Sequence, residues 1–317
     1  MARDSPFDPA VFGVLAPWVR EDAVTDVFVN PDGSVWVDRG AGAERVAGTT
    51  VPPAEARDLA VRLIAAGERH VDEATPCVDV RLGHGIRVHA VLPPVSPGGA
   101  VLSVRLPRSR PLDLGELEAG GFFALHGAAV VRELVARRAN LLVTGAGGSG
   151  KTTLLGALLG SAPETERIVV IEDVAELRIA HPHVVALEAR QANLDGAGAI
   201  GLDRLVREAL RMRPDRLVVG ECRGPELREL LSALNTGHDG GAGTLHANSL
   251  ADVPARLEAL GSLAGLDADA VARQAVSAFD AVLHVERAAE GRRLSALGEL
   301  ALDAGGRLTV HGLTGES

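Results

Sequence analysis

The stretch Gly145-Ala146-Gly147-Gly148-Ser149-Gly150-Lys151-Thr152 constrains this chain more than any other part of it. It fits G-x-x-x-x-G-K-[ST] and lies between an apolar run, Leu141–Thr144, and a helix-spaced stretch, 151–160. Strand, glycine-rich turn and helix in immediate succession commit the surrounding residues to a layered α/β arrangement. The glycines let backbone N–H groups turn inward around phosphates, and the helix adds the positive end of its dipole. Lys151 is then expected at the β and γ phosphates of a nucleotide, with the Thr152 hydroxyl on Mg²⁺. Lys151 is also the one lysine among 32 Lys and Arg in 317 residues. A compact ammonium on a flexible stem fits inside the curl of its own loop, where a broad guanidinium does not.

The rest of the second half of the chain agrees with that reading. Apolar runs at Leu141–Thr144, Ile168–Ile171, Leu217–Val219 and Gly243–Leu245 alternate with helical stretches at 151–160, 202–212 and 225–235, the pattern of a parallel sheet covered by helices. A helical pattern at 124–138 precedes them. A helix at 267–278 and hairpin-like strands at Asp280–Glu286 and Arg293–Leu300, around a Glu290-Gly291 turn, follow. Open α/β sheets bind ligands outside the carboxyl ends of their strands, so the residues after each run are the candidates. Glu172, Asp173 and Glu176 follow the second run, Gly220 and Glu221 the third, and His246 the fourth. A γ-phosphate, Mg²⁺ and an attacking water need carboxylates and an imidazole on one rim. The segment RLVVGECRG resembles a Walker B strand with Gly220 where most P-loop enzymes keep an aspartate, which leaves Glu221 nearest the metal. Glu176 competes with Glu221 for the role of general base, and the residues alone do not choose between them.

The first third reads differently. VTDVFVN and SVWVDRG flank the turn Pro31-Asp32-Gly33, a helical pattern spans 54–69, and strand-like runs occur at Cys77–Leu82, Ile86–Leu92 and Ala100–Leu106. This is an α+β amino-terminal domain over 1–106. Residues 107–121, rich in breakers and charge, are expected to link it to a second domain over 122–317. A net charge of −10 argues against a nucleic-acid backbone as main partner, so no dedicated nucleic-acid binding is expected. Met1–Pro17 lacks the positive start and apolar centre of a signal peptide, and no apolar run reaches the roughly 18 residues of a membrane span. Cys77 and Cys222 form no CxxC, which removes a zinc ribbon or disulfide framework and points to a reducing cytoplasm.

Three segments together carry a family resemblance: NLLVTGAGGSGKTTLL, IEDVAELRIAHPHVVALEAR, and LVREALRMRPDRLVVGECRGPELRELLSALNTGHDGGAGTLHANS. Over about residues 20–300 the chain resembles the type II/type IV secretion and pilus-assembly ATPases, most closely the Tad/Flp pilus-assembly branch. The resemblance implies a RecA-like P-loop ATPase domain with a parallel-sheet core, preceded by a smaller α+β (PAS-like) domain. It marks Gly145, Ala146, Gly147, Gly148, Ser149, Gly150, Lys151, Thr152 and Thr153 as the ATP-binding loop. Glu172, Asp173 and Glu176 become its acidic box, Glu221 its Walker B carboxylate, and His238 with His246 its histidine box. Thr152, Glu172 and Glu221 would then serve Mg²⁺, partly through water, and His246 would sense the γ-phosphate. Arginines of the amino-terminal domain reach the phosphates in such enzymes, which implies Arg87 and Arg105 here, with Arg81 less direct.

The activity so implied is that of a hexameric motor hydrolysing ATP to ADP and phosphate to power pilus assembly or protein secretion. It would work in the cytoplasm, at the inner face of the membrane, through an inner-membrane platform protein. The tetracysteine zinc module of many type II secretion ATPases is absent from the sequence. Rival readings are a DNA-translocating or conjugation-type motor and a non-hydrolysing nucleotide-binding regulatory module.

Overall fold

The computed structural model describes residues 9–106, 110–190, 198–288 and 290–313. The chain divides into two compact units, Met1–Arg110 and Pro111–Ser317. In the first, helix α1 (Ala16–Val19) leads to strands β1 (Asp26–Val29), β2 (Ser34–Asp38) and β3 (Ala43–Thr50). Helix α2 (Pro53–Ala66) and strands β4 (Cys77–Leu82), β5 (Ile86–Val91) and β6 (Val101–Arg105) follow. The strands form one antiparallel sheet in the order β3-β2-β1-β6-β5-β4. Pro53 suits the first turn of α2, where its missing N–H would have no partner anyway. Leu59, Ala60, Leu63 and Ile64, at helical spacing, are fully buried in one core with Val27, Val29, Val35, Val88 and Leu102 of the sheet. Strand alternation turns Asp26, Arg81, Arg87 and Arg105 to the opposite face. β3 escapes the sequence pattern because AERVAGTT is exposed along most of its length and does not alternate.

The second unit contains α3 (Leu114–Ala119), α4 (Ala128–Ala136), β7 (Leu141–Gly145), α5 (Lys151–Gly160), β8 (Ile168–Glu172) and β9 (Val184–Glu188). It continues with α6 (Leu202–Leu210), β10 (Arg216–Val219), α7 (Glu226–Leu234), β11 (Ala242–His246), α8 (Val253–Leu263) and α9 (Ala268–Ala278). Strands β12 (Ala281–Ala288), β13 (Gly291–Leu302) and β14 (Leu308–Gly312) complete it. The sheet order is β14-β13-β12-β7-β11-β10-β8-β9. The strands from β12 to β9 run parallel, and β13 and β14 extend the β12 edge antiparallel. Alternate residues of each central strand enter opposite cores. Leu142, Val169, Ile171, Leu217 and Val219 pack with α6 to α9, whereas Leu141, Val143, Ile168, Val170 and Val218 pack with α4 and α5. Burial on both faces is why these strands read as continuous apolar runs.

Three features depart from the sequence expectation. Within the segment expected as linker, Leu114–Ala119 is helical: the Asp113 carboxylate accepts from Glu116 N at 2.8 Å, and the Glu116 carboxylate accepts from Asp113 N at 3.0 Å. Leu114 and Leu117 then bury in the second unit's core, so the segment is no open tether. Residues 107–109 of it lie outside the described residues. β9 adds an unexpected parallel edge strand beside β8, and β12, besides its hairpin with β13, runs parallel to β7. The last departure matters most, because it puts the end of β7 between two strands instead of at a sheet edge. Among the described residues no helix is long and apolar enough to cross a membrane.

Candidate active site

β7 ends at Gly145 and α5 starts at Lys151, so the glycine-rich loop sits at the carboxyl ends of the parallel strands. Gly145 adopts φ +150°, and a Cβ there would stand 2.2 Å from Val285 O and 2.6 Å from Ser149 Oγ. Gly150 has φ +109°, which L side chains rarely adopt. Inside this curl Lys151 is 7% exposed, and its Nζ donates to the carbonyls of Gly145 and Ala146, each at 2.9 Å. Burial lowers its pKa from the usual lysine value, opposed by the charges of Glu221 and then Glu176. Ser149 Oγ is buried without a hydrogen-bond partner among the described residues. A held ammonium, an unsatisfied hydroxyl and the amino end of a ten-residue helix converge here, a cradle that fits a phosphate chain. Thr152 and Thr153, both partly buried, occupy the first turn of α5.

The neighbouring strands deliver the other groups. At the end of β8, Glu172 is 6% exposed, and its Oε1 accepts from the backbone N–H of Glu176 at 3.0 Å and of Leu177 at 2.9 Å. Glu172 therefore anchors the loop that carries the exposed Glu176. It also explains the missing Walker B aspartate: a Cβ on Gly220 would lie 2.5 Å from Glu172 Cγ and 3.0 Å from its Oε1. The space a side chain at 220 would need is filled from the adjacent strand. Asp173 is paired with Arg223, joining the loops that follow β8 and β10.

Glu221 and His246 meet across β10 and β11, with Nε2 of His246 2.9 Å from Glu221 Oε1. The hydroxyl of Thr244 donates to Gly220 O at 2.6 Å and Cys222 N to Thr244 O at 2.8 Å, fastening the two strand ends together. The imidazole lies against the phosphate loop, its Cε1 3.8 Å from where a Gly147 Cβ would stand. Burial lowers the His246 pKa first, the Lys151 and Arg256 charges lower it further, and Glu221 opposes them. The ring is thus neutral near pH 7, and Nε2–H donates to the Glu221 carboxylate. Arg256 Nε in turn donates to His246 O at 3.1 Å.

The other residues marked by the sequence lie elsewhere. His238 stands before β11, its Nδ1 3.2 Å from Ala233 O, so the length of β11 separates it from His246 and the phosphate loop. Arg81, Arg87 and Arg105 belong to the first unit, where the register sets Arg81 opposite Arg87 and Arg87 opposite Arg105, with Asp26 opposite Arg105 on the next strand. Directly opposed residues share a face, so three cations stand side by side, an arrangement that attracts an anion.

Two residues at the loop were not marked by sequence. Arg292, just after the hairpin turn, donates from Nε to Gly148 O at 3.0 Å, and its Cδ lies 3.0 Å from a Cβ placed on Gly150. His284 on β12 bonds Thr144, immediately before the loop. His284 arrives through the β7–β12 pairing and Arg292 through the β12–β13 hairpin beside it, from about 140 residues away, and no local motif announces them. Among the described residues no group of three or more His, Cys, Asp or Glu could hold a metal ion by itself. The donor set suits Mg²⁺, which is held by one or two protein oxygens together with phosphate and water.

The sequence profile described as "Type II/IV secretion system protein" matches residues 13–288. A putative conjugal transfer protein of Mycobacterium tuberculosis is 50% identical over 89% of this chain and 82% of its own length. The conjugal transfer protein TrbB of Rhizobium radiobacter is 32% identical over 86% of this chain and 82% of its own. The fold is shared with the ATPase DotB of Legionella pneumophila, whose structure superposes with a TM-score of 0.62 at 18% identity, covering 96% of this chain and 80% of DotB. The chain therefore belongs to the type II/IV secretion system protein family.

Proposed function

We propose that this chain is a motor ATPase that hydrolyses ATP to ADP and phosphate. The observation that carries this reading is the convergence of Lys151, Glu221 and His246 at the carboxyl ends of β7, β10 and β11. Phosphoryl transfer requires positioning and charge stabilisation more than covalent chemistry, and these residues supply both. Lys151 exchanges its two loop carbonyls for β and γ phosphate oxygens. Glu221, already oriented by the His246 ring, accepts a hydrogen bond from the attacking water. It suits that role better than Glu176, which is exposed and whose charge acts less on Lys151. His246, resting on the loop, answers to the presence of a γ-phosphate. Thr152 and Glu221 would hold Mg²⁺, the latter partly through water, and the ion when bound would offset the charge of the phosphates. Glu172 contributes at most one oxygen, because the other is engaged by two backbone N–H groups.

The arginine row of Arg87 and Arg105, flanked by Arg81, completes the charge around the phosphates within a homo-hexamer. The work would be applied, at the inner face of the cytoplasmic membrane, to a platform protein that assembles a pilus of the Tad/Flp kind or secretes protein. A conjugation-type secretion motor is the second reading, favoured by the conjugal transfer relatives. Phosphate release by the purified chain tests hydrolysis: the wild type should turn over, and Glu221→Gln should lose about a hundredfold or more in kcat with nucleotide binding retained. Equal turnover by both proteins would sink the motor reading. Several-fold stimulation by DNA would favour a DNA-translocating motor.

A further inference from the structure

His284 lies on β12, outside every motif of the chain, and is 4% exposed. In the parallel β12–β7 register it stands beside Thr144, with Nδ1 2.9 Å from Thr144 Oγ1. Burial lowers the pKa of the ring, and the backbone of Asn248 opposes this, as a carbonyl acceptor near the ring does. With Nδ1 facing Thr144, Nε2–H is the group left to face that carbonyl. Burial keeps the ring neutral, so Nδ1 is an acceptor and takes the Thr144 hydroxyl proton. Thr144 is itself fully buried, and a side chain at 284 unable to accept would strand its hydroxyl.

The two groups so joined are not arbitrary. Thr144 immediately precedes Gly145, whose carbonyl holds Lys151 Nζ at 2.9 Å and accepts from Ala247 N at 3.4 Å. Asn248 is two residues beyond His246. β11 and β12 flank β7 on opposite sides, and the imidazole spans from one side to the other across the strand end.

We propose that His284 is a positioning residue: its imidazole ties the base of the phosphate loop to the segment just beyond His246, so that Lys151 and His246 face a γ-phosphate in one arrangement. This rests on the ATP-hydrolysing reading given above. It assigns to His284 the preference for triphosphate over diphosphate, since only the triphosphate engages both groups.

The test compares affinities for ADP and for a non-hydrolysable ATP analogue, both with Mg²⁺, by isothermal titration calorimetry, and adds kcat for ATP. His284→Val should reduce the triphosphate preference and kcat by about tenfold each while ADP affinity stays within about threefold. His246→Ala should lower the same preference, and the double variant should lose no more than His246→Ala alone, because both changes act on one contact. If the valine variant fails to fold, Thr144→Val removes the same hydrogen bond and carries the same expectation. Wild-type binding with an unchanged preference in the variants, or losses that multiply in the double variant, overturns the positioning role and leaves the ATPase reading intact. A wild type that binds neither nucleotide overturns both.

Discussion

At the amino edge of the large sheet, Arg216 is 2% exposed, and its guanidinium bonds Glu166 at 2.5 Å and Val135 O at 3.0 Å. Arg138 adds a second cation to the same Glu166 at 3.2 Å, and its side chain also bonds the carbonyls of Asp215 and Asp239. At the carboxyl edge Lys151 is nearly as buried, yet among the described residues it has no carboxylate within ion-pair distance, only the two carbonyls of its own loop. One edge saturates its buried cation with opposite charge, and the other leaves the charge available beside an unsatisfied Ser149 hydroxyl. A buried pair that is complete is costly to break, because removing one partner strands the other charge. A buried cation left incomplete suits the anionic ligand proposed above.

The sharpest way to break this comparison is Lys151→Arg. It keeps the charge but replaces the compact ammonium by a broad guanidinium, so phosphate release should fall by at least about a hundredfold while the protein still folds cooperatively. Arg216→Ala should do the reverse. It strands Glu166 with the longer Arg138 contact alone, and urea unfolding should show a loss of about 3 kcal/mol, with the folded fraction still turning over ATP. A third change probes the strand ends between the two. Gly220→Ala pushes a methyl into Glu172 and should lower unfolding stability by about 1–3 kcal/mol, whereas adding Glu172→Ala should destabilise by less than the sum of the two changes.

The smallest effect is in pH. Burial holds the pKa of His284 below 6.5, so the folded ring is neutral at pH 7. As pH falls, the unfolded chain takes up a proton that the fold resists, so stability is full above about pH 6.5 and declines through the depressed value below it. Melting curves from pH 7 to pH 5 should show this decline, and His284→Gln should flatten it. An unchanged slope in that variant would mean that other groups carry the pH dependence.

The glycine-rich loop was legible in the sequence because it is local: the strand, the glycines at 145 and 150, Lys151 and the helix follow one another, and the backbone at 145 and 150 calls for glycine. Glu221 and His246 were legible by a weaker rule, that polar residues after buried apolar runs gather on one rim, and the two side chains stand 2.9 Å apart. The same rule says nothing about His238, whose place before β11 puts it at the opposite end of that strand. Glu172 was expected only as a metal group, because its engagement by the N–H groups of Glu176 and Leu177 depends on how the chain turns after β8. The helix Leu114–Ala119 had a local signal in Asp113 and Glu116, a capping pair hidden among prolines and glycines.

What the sequence determined by itself is whatever follows from neighbours along the chain. That comprises the phosphate-loop fold, the need for a lysine inside it, the alternation of buried strands with helices, and the acidic and imidazole side chains at strand ends. Tertiary structure alone decided which strands would adjoin. By setting β12 parallel to β7 it brought His284 and Arg292 to the loop, and by setting β8 beside β10 it filled the space at Gly220 with Glu172. The reason is physical: a strand's own pattern encodes which of its faces is buried, whereas its neighbour is chosen by packing and hydrogen bonds with residues far away in sequence.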